Sequence, residues 1–343
     1  MSGEFIVKPC SQAEVDFYQS ASLHSAFEYY TPKFWGTLSL SSNPAISQSV
    51  SDRNLPDLPH VIAPLFDNGH PTTPTLPAWT PSDGGKIDTS TAIVLENMAA
   101  HFKKPNVLDV KLGARLWADD APAAKRQKLE KAAAETTSKP LGFRIAGMKV
   151  WQGVQANGHE NPSTDGYRVC NKAYGRNLTV ETVRQGFKDF FFVKSAAVTK
   201  TLACEVIQRF LIDLRGLQEV IEKEESRMYS ASLLFIYEGD GHSLQHAFDA
   251  EKIILPCTTE RLKDKGKAEN PVVDATSSRT SSSEEEADDA EDDEEDKPHL
   301  PKIQAIKLID FAHAQWTPGQ GPDENLLHGV RNVVEILEDL CRC

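Results

Sequence analysis

The sequence predicts an α+β fold, because its regular patterns are a mixture of strand-like and helix-like stretches. Two long stretches repeat apolar residues at helical spacing: "TLACEVIQRFLIDLRGLQEVIEKEE" (201–225) and "NLLHGVRNVVEILEDL" (325–340). Four apolar runs have the length and composition of strands: "TAIVLENM" (91–98), "GFRIAGMKVW" (142–151), "SLLFIYE" (232–238) and "IQAIKLIDF" (303–311). A chain of 343 residues is long enough for one large domain or two modest ones.

The first hundred residues begin with a short strand over residues 4–8, which ends in Lys8. A helix over "SQAEVDFYQSA" follows, with Ser11 as the predicted N-cap and Glu14 at the capping-box position. Residues 41–88 are rich in Ser, Pro, Asp and Asn and show little periodicity. We therefore expect a long loop insertion before the 91–98 strand.

The stretch "KKPNVLDVKLGARLW" (103–117) holds two charged residues inside an apolar strand. Asp109 and Lys111 are two residues apart, so both side chains leave the same face, and Gly113 ends the strand. One interpretation is an edge strand with a solvated ion pair. The other is a functional pair, because charged groups are costly in apolar strands unless they are paired or bind a ligand.

The middle of the chain adds two helices and a strand. The Ala-, Lys- and Glu-rich run "APAAKRQKLEKAAAETTS" predicts a helix over about 121–135, and "TVETVRQGFKDFF" predicts an amphipathic helix. In the strand "GFRIAGMKVW", regular alternation places Arg144 and Met148 on the same face.

An insertion is predicted over about 261–298, where the chain is Lys-rich, then Ser-rich, then acidic. It lacks the large apolar residues needed to offset its ordering entropy, so we expect disorder. Glu284–Asp296 carries 11 acidic residues, without which the net charge of −13 falls to −2. The insertion is either a solubilising segment or a docking segment for a basic partner, such as a histone or transcription factor.

Composition also bears on the class of protein. No run of about 18 apolar residues is present, so no transmembrane helix is predicted. The N-terminal "MSGEFIVKPC" lacks the basic and apolar regions of a secretion signal. The six cysteines form no C-x-x-C pair, which is typical of reduced, intracellular thiols.

Three charged features require a common explanation: Lys8, the Asp109–Lys111 pair, and the "LIDFAHA" strand end with Asp310 and His313. Phosphoryl transfer uses such a set. A lysine holds the phosphates that are not transferred, an aspartate holds Mg²⁺, and another cation steadies the moving phosphoryl group. The basic 121–135 helix is either a solvated face or a cover for a highly phosphorylated acceptor.

Six motifs occur in order along the chain: "LENM", "PNVLDVKLG", "GFRIAGMKVW", "YGRNLT", "SASLLFIYEGD" and "IDFAHA…DENLLHGVRNVVEIL". "PNVLDVKLG" fits the signature P-x-x-x-D-x-K-x-G, and the set resembles the inositol polyphosphate kinase family. The resemblance covers most of Glu4–Leu340 apart from the two insertions. The compact stretch between Gly113 and Gly142 is most similar to the multikinase branch.

The resemblance implies a two-lobed, kinase-like form of the α+β fold with ATP in the cleft. Residues 1–98 would form a small N-lobe with an antiparallel sheet, ending in a hinge near Glu96–Met98. Residues 99–340 would form a larger C-lobe of sheet and helices. The 41–88 insertion would belong to the N-lobe, and the 121–135 helix and the 261–298 insertion to the C-lobe.

The resemblance also implies residue roles. Lys8 would bind the ATP phosphates, Glu96 and Met98 would meet adenine through their backbone, and Asp310 would ligate Mg²⁺ in the ATP site. Asp109 would hold the ribose and act with Lys111 as a catalytic residue, Lys111 touching both the γ-phosphate and the acceptor hydroxyl. The inositol phosphate would be bound by Lys111, Lys125, Arg126, Lys128, Lys149 and His313, with Lys131 as a further cation.

Two features depart from the family pattern. The S-S-L-L motif starts at Ala231, so only its second serine, Ser232, is present. Only seven residues precede Lys8. We therefore expect its strand to lack the neighbour that the family builds from earlier residues, through a mis-assigned start or a natural short form, and to keep an open edge.

The implied function is ATP- and Mg²⁺-dependent phosphorylation of soluble inositol polyphosphates, from trisphosphate to tetrakis- and pentakisphosphate. Two alternatives stay open: another branch of the family (inositol hexakisphosphate kinase or inositol trisphosphate 3-kinase), or a nuclear scaffold or transcriptional co-regulator with weak or no kinase activity. We expect a monomer in the nucleus and cytoplasm that does not bind nucleic acid directly. Some family members also accept a phosphoinositide lipid headgroup, and basic nuclear proteins are the expected partners of Glu284–Asp296.

Overall fold

A computed structural model of the chain describes residues 3–39, 89–153, 166–265 and 301–342. The predicted 41–88 insertion lies outside the described residues. Of the predicted 261–298 insertion, residues 261–265 form the end of a helix, and the remainder lies outside. None of the helices within these ranges is both long and apolar enough to cross a membrane.

The described residues start with a three-stranded antiparallel sheet. Its strands are β1 (Phe5–Pro9), β2 (Phe34–Ser39) and β3 (Thr91–Glu96), in the order β1-β3-β2. Lys8 of β1 pairs with Ile93 of β3. Within the described residues β1 pairs with β3 alone, and the apolar side chains of Phe5, Ile6 and Val7 are exposed.

A larger antiparallel sheet forms the second part, in the order β6-β5-β4-β8-β9. Its strands are β4 (Pro105–Leu112), β5 (Phe143–Trp151), β6 (Tyr167–Cys170), β8 (Ser232–Glu238) and β9 (Gln304–Ile309). A separate two-stranded sheet pairs β7 (Ser226–Met228) with β10 (Ala314–Trp316). Because β4 is the central strand, the interpretation of Asp109 and Lys111 as an edge-strand pair is wrong.

The pairing of β4 with β5 contains a register shift. Lys111 lies opposite Arg144, but Asp109 lies opposite Gly147, which leaves one extra residue on β5. Such a bulge reverses the alternation beyond it. Met148 therefore pairs with Leu108 in the core while Arg144 faces the same side as Lys111, so the prediction that Arg144 and Met148 share a face is wrong.

Helices pack around the sheets. Within the described residues they are α1 (Gln12–Ala21), α2 (Ser25–Glu28), α3 (Ala123–Ala134), α4 (Ser138–Leu141), α5 (Lys172–Arg176), α6 (Val183–Phe191), α7 (Lys200–Lys223), α8 (Gly241–Lys265) and α9 (Glu324–Arg342). The apolar stripe predicted for α7 is buried from Leu202 to Leu217. Helices α7 and α9 pack against each other, and α9 also contacts β4 and β5.

Helix α1 connects the small sheet to the large one. The Phe17 ring lies 4.7 Å from Phe311, just beyond β9, and 4.9 Å from Trp316 on β10, between ring centroids. These residues belong to a single apolar core that runs from Cys10 to Leu340. Because of this packing, the ends of β1 and β9, where Lys8 and Asp310 lie, are held close together.

The predicted α+β class is confirmed, and each predicted strand and helix within the described residues is present. The shortest elements, among them α2, β2, β6 and β7, were not predicted, and neither was the longer helix α8. An element of three to six residues shows little period, so only short strands with a clear apolar run, such as β1, β3 and β9, were predicted.

Candidate active site

The first strand and the first helix bring a lysine to a carboxylate. The Ser11 hydroxyl caps α1 by accepting a hydrogen bond from the Glu14 N–H, at 3.3 Å. The Glu14 carboxylate does not return to the cap; it accepts a hydrogen bond from Lys8 Nζ at 2.8 Å. Because Glu14 is only 2% exposed, α1 presents a buried negative charge to Lys8.

Lys8 also contacts the other end of the chain, where its Nζ lies 2.6 Å from Asp310 Oδ1. Burial lowers the pKa of Lys8, but the carboxylates of Asp310 and Glu14 outweigh it and raise that pKa to about 12. Burial by itself raises the pKa of Asp310, but the positive charges of Lys8 and Lys111 outweigh burial and bring that pKa below its ordinary value. Both groups are therefore charged at neutral pH.

The backbone of Asp310 is in the left-handed region, with φ of +68°. That conformation costs roughly 1–2 kcal/mol for a residue with a Cβ atom. Strained positions of this kind persist when the surroundings fix them, and they cluster at functional sites. Here the buried Phe311 ring on one side and the Lys8 ion pair on the other hold the residue in place.

Asp109 is the most buried carboxylate of this centre after Glu14, at 8% exposed. Burial raises its pKa to about 6, although Lys111 opposes the rise and Asp310 adds to it. Its Oδ1 atom is buried and accepts no hydrogen bond from the residues that the structure describes. An acceptor buried without a donor costs about 1–3 kcal/mol, so this atom suits a ligand that donates a hydrogen bond.

Lys111 lies two residues along β4 from Asp109, on the same side of the sheet. Its Nζ donates to the Ser230 carbonyl oxygen at 2.6 Å. Burial lowers the pKa of Lys111, opposed by the carboxylates of Asp310 and Asp109 and reinforced by Arg144 and Lys8. The Lys111 ammonium is thus coupled electrostatically to both carboxylates, of which the two-residue spacing predicted only Asp109 as a neighbour.

Arg144 is a buried cation that sequence reasoning did not assign to the site. It lies opposite Lys111 on β5 and is 7% exposed. Burial lowers its pKa, the positive charge of Arg176 adds to this, and Asp109 opposes it. Among the described residues its guanidinium donates only to the Ser138 hydroxyl, at 2.9 Å. A five-donor group with one neutral partner suits an anionic ligand.

The signal for Arg144 was present in the sequence. An arginine in the apolar run "GFRIAGMKVW" is as costly as the charges of the β4 strand, and the same argument applies to it. Its assignment failed because regular alternation grouped it with Met148.

Helix α3 reaches this centre through its first turn. Lys125 Nζ lies 3.1 Å from Nε2 of His313, which follows β9. Burial lowers the pKa of His313, and Lys125 lowers it further, while Asp120 opposes both. A neutral imidazole can accept a hydrogen bond from the Lys125 ammonium. The structure therefore brings Lys125 and His313 together, three residues from Asp310.

Three other predicted acceptor-binding residues do not contact this group. Lys128 is exposed on α3. Arg126 donates to the carbonyl oxygens of Ala121 and Asp119, which stabilises the start of α3. Lys149 lies opposite Val107, about 13 Å along the strand from Lys111 at 3.3 Å per residue. Its ammonium is 4.1 Å from the Tyr167 ring centroid.

The predicted hinge begins at Glu96, the last residue of β3, and extends to Met98. Met98 is buried in a small cluster with Phe102 and Ile236, against which Val107, Leu234 and Ala305 of the large sheet pack. Its backbone N–H has no hydrogen-bond partner among the described residues. Oε1 of Glu96 lies 3.7 Å from His101 Nε2 and 3.7 Å from Lys302 Nζ. The backbone N–H of Glu96 donates a hydrogen bond to the carbonyl oxygen of Lys33.

These residues fit a nucleotide and a divalent cation. Among the described residues, the Met98 N–H has no acceptor, and Asp109 Oδ1 has no donor and suits a hydroxyl. Within the described ranges, no group of three or more His, Cys, Asp or Glu side chains could hold a metal alone. Mg²⁺ is commonly bound by one or two carboxylates with substrate phosphates, so Asp310 could hold it once a nucleotide is bound.

Comparison with known proteins gives a consistent result. A family model described as inositol polyphosphate kinase matches residues 92–338. The inositol polyphosphate multikinase of Saccharomyces cerevisiae is 32% identical over 250 residues, which are 71% of this chain and 67% of that protein. Mouse inositol hexakisphosphate kinase 1 is 33% identical over 259 residues, but the match spans only 51% of its length.

Two longer matches involve multikinases. That of Schizosaccharomyces pombe is 26% identical over 331 residues, which are 96% of this chain and 88% of that protein. A crystal structure of the S. cerevisiae inositol phosphate multikinase in complex with ADP and Mn²⁺ is similar in fold, with a TM-score of 0.62 and 26% identity. The match covers 98% of this chain and 99% of the solved chain.

Proposed function

The chain belongs to the inositol polyphosphate kinase family, a family of phosphotransferases, and on this basis we propose that it transfers a phosphoryl group from ATP to soluble inositol polyphosphates. The observation that carries the proposal is the meeting of Lys8, Asp109, Lys111 and Asp310. They come from β1, β4 and the end of β9, and they share one electrostatic network.

Each residue of that network has a task that its geometry supports. Lys8, held by Glu14, is a fully charged cation for the phosphates that are not transferred. Asp310 would hold the divalent cation, which neutralises phosphate charge when bound. Asp109 Oδ1 would accept a hydrogen bond from a ribose hydroxyl. The Met98 N–H would donate to the base.

Lys111 would stabilise the negative charge on the phosphoryl group during its transfer. It faces the same side as Asp109 and is coupled to Asp310, so it would contact both the γ-phosphate and the acceptor hydroxyl. Phosphoryl transfer needs little covalent chemistry from the protein; positioning and charge neutralisation supply most of the rate increase. The Lys111 ammonium supplies both.

The acceptor phosphates would contact the cations that surround Lys111. Arg144, which interacts electrostatically with Lys111, can present the unused donors of its guanidinium. Lys125 would act from helix α3, beside His313, which also interacts electrostatically with Lys111. Arg126, Lys128 and Lys149 were also predicted for this role. Their described contacts give them no link to the centre, so we rank Arg144 and Lys125 above them.

We further propose the multikinase branch, with inositol trisphosphate as substrate and tetrakis- and pentakisphosphate as products. Sequence identity does not separate the branches, since it is 32% to a multikinase and 33% to a hexakisphosphate kinase. Two observations support the multikinase branch: the compact stretch between Gly113 and Gly142, and the similarity in fold to the S. cerevisiae multikinase, with a TM-score of 0.62. Offering the purified protein inositol trisphosphate and hexakisphosphate in parallel tests the branch; preference for hexakisphosphate would reject it.

Partners beyond the substrate are proposals from composition. We propose that Glu284–Asp296, with its 11 acidic residues, binds basic nuclear proteins, and that the protein is a monomer found in nucleus and cytoplasm. Histone pull-down with and without this segment tests the first point, and equal recovery would reject it. Light scattering and imaging of a tagged protein test the other two. A phosphoinositide lipid headgroup is a second acceptor to include in the kinase assay.

A further inference from the structure

Ser230 lies in the turn between β7 and β8, and its backbone is in the left-handed region, with φ of +61°. Among the described residues other than glycine, Ala197 and Asp310 are the others with such a backbone. Asp310 belongs to the candidate active site. The conformation is unfavourable for a residue with a Cβ atom, and residues held in it cluster at functional sites. A strained residue beside the site needs contacts that hold it in place.

The Ser230 carbonyl group holds the Lys111 ammonium. Its oxygen accepts a hydrogen bond from Lys111 Nζ at 2.6 Å, and within the described residues this is the one hydrogen bond that Nζ makes. An ammonium has three donors, so two remain. These two match the partners that the proposed function gives to Lys111, the γ-phosphate and the acceptor hydroxyl. Because a carbonyl is neutral, it orients the ammonium without cancelling the charge that stabilises phosphoryl transfer.

The Ser230 side chain fixes the turn that carries this carbonyl. Its hydroxyl donates a hydrogen bond to the carbonyl oxygen of the buried Leu116, at 2.9 Å. The preceding Tyr229 N–H donates to the His313 carbonyl oxygen at 3.1 Å. The turn is therefore tied to the segment that leads into α3 and to the segment that follows β9. A hydroxyl bond of this kind is comparable in free energy with the cost of the left-handed backbone, so it can hold the strained conformation.

We propose that Ser230 is a positioning residue for phosphoryl transfer: its hydroxyl, bonded to Leu116, holds the left-handed turn that directs the Ser230 carbonyl at Lys111. Lys111 keeps this contact during the reaction and offers its two other donors to the γ-phosphate and the acceptor hydroxyl. The inference rests on the proposed function, because it presupposes the role of Lys111 in transfer. Ser230 takes part in no covalent step.

Two substitutions at Ser230 separate the hydroxyl from the backbone conformation. Ser230→Ala removes the hydroxyl but keeps a Cβ atom, so the left-handed turn loses its hydrogen bond and keeps its cost. Ser230→Gly also removes the hydroxyl, but glycine adopts positive φ without that cost. Ala197→Gly is the matched control, because Ala197 has the same φ of +61° but is exposed, and its N–H donates to the Lys194 carbonyl oxygen.

Steady-state kinetics of the full chain give kcat and both KM values, and thermal unfolding gives stability. Ser230→Ala should lower kcat about tenfold, the effect of one lost hydrogen bond, and should change KM for ATP less. Ser230→Gly should stay within about threefold of the wild-type kcat, because its turn forms without strain. Ala197→Gly should change stability alone. A purely structural serine would lower the unfolding temperature of Ser230→Ala and leave kcat at the wild-type value.

The pH dependence of kcat is a readout that a loss of stability would not move. A hydrogen bond from the Lys111 ammonium to a carbonyl favours its charged form. Burial already lowers the pKa of Lys111, and displacement of the carbonyl in Ser230→Ala should lower that pKa further. The decline of kcat at alkaline pH should therefore begin at a lower pH in Ser230→Ala than in the wild type. Ser230→Gly should keep the wild-type profile.

Failure of this inference is distinguishable from failure of the proposed function. A wild-type kcat or an unchanged alkaline decline in Ser230→Ala overturns the inference, as does an equal loss of kcat in Ser230→Ala and Ser230→Gly. The proposed function stands in these cases if the wild type phosphorylates inositol phosphate and Lys111→Ala does not. Absence of transfer by the wild type overturns the proposed function and this inference with it.

Discussion

Replacing Arg144 with Met should separate stability from activity. Met fills much of the same apolar space but removes the charge. The loss is one hydrogen bond to the neutral Ser138 hydroxyl, about 0.5–1.5 kcal/mol. The gain is relief of the desolvation cost of a buried cation that Arg176 also repels; this cost is the largest cause of the lowered pKa of Arg144 and exceeds the attraction of Asp109. Without substrate, the variant should therefore unfold at the wild-type temperature or above.

The same substitution should impair use of the acceptor. If Arg144 donates to an acceptor phosphate, a hydrogen bond between two charged groups is lost, worth about 1.5–3 kcal/mol. At 1.36 kcal/mol for each factor of ten, kcat/KM for inositol phosphate should fall about 10- to 150-fold. The KM for ATP should change less, because Arg144 interacts with Asp109 of the ATP site through charge alone and its described hydrogen bond is to Ser138.

Steady-state kinetics at saturating MgATP, with thermal unfolding of the same preparations, measure both effects. Arg168→Met is the control: Arg168 lies on β6, pairs with Asp189 at 3.5 Å and faces no residue of the site. A lower unfolding temperature with normal kcat/KM for inositol phosphate would refute the reasoning, because Arg144 would then be a structural cation.

Three further predictions follow from the same centre. Lys111→Ala and Asp310→Asn should each lower kcat by at least about 100-fold, because each removes charge stabilisation of the transition state; wild-type turnover in either would reject its role. Lys125→Gln should raise KM for inositol phosphate but not for ATP, because Lys125 lies beside His313. The control Lys131→Gln, at an exposed position of α3, should change neither constant. Equal rises in both constants for Lys125→Gln would show that α3 does not face the acceptor. The contribution of Asp109 to the free energy of unfolding should decline as pH rises from 3.8 to about 6, because folded Asp109 retains a proton that the unfolded chain has released. In denaturant titrations, Asp109→Asn should therefore gain stability relative to the wild type across this range, and a constant difference between the two would contradict the raised pKa.

Local structure was largely predictable because its causes are local. Ser11 caps α1 as its position indicated, and β8 spans the predicted Ser232–Glu238. The buried stripe of α7 has the spacing read from the sequence. The capping box at Glu14 was only half right, since its carboxylate bonds to Lys8, which approaches from another element.

Contacts that depend on register or on distant packing were harder to predict. The extra residue in β5 turns Arg144 towards Lys111, and no local signal in the strand reveals that bulge. The 2.6 Å contact between Lys8 and Asp310 joins residues 302 positions apart. The charged residues in apolar strands suggested a common site, and the family resemblance assigned their roles, but neither gave the direct contact. Composition of α3 identified its cations, but both Lys125 and Lys128 are exposed, and only the fold shows that Lys125 contacts His313.

The most direct test of the central claim is transfer of label from γ-labelled ATP to inositol trisphosphate by the purified chain with Mg²⁺. Products would be separated by anion-exchange chromatography, with Lys111→Ala as the matched control. We predict labelled tetrakisphosphate first and pentakisphosphate later, with neither above background in the variant. Absence of labelled inositol phosphates from the wild type, or equal labelling by Lys111→Ala, would contradict the claim that Lys8, Asp109, Lys111 and Asp310 form a phosphoryl-transfer site.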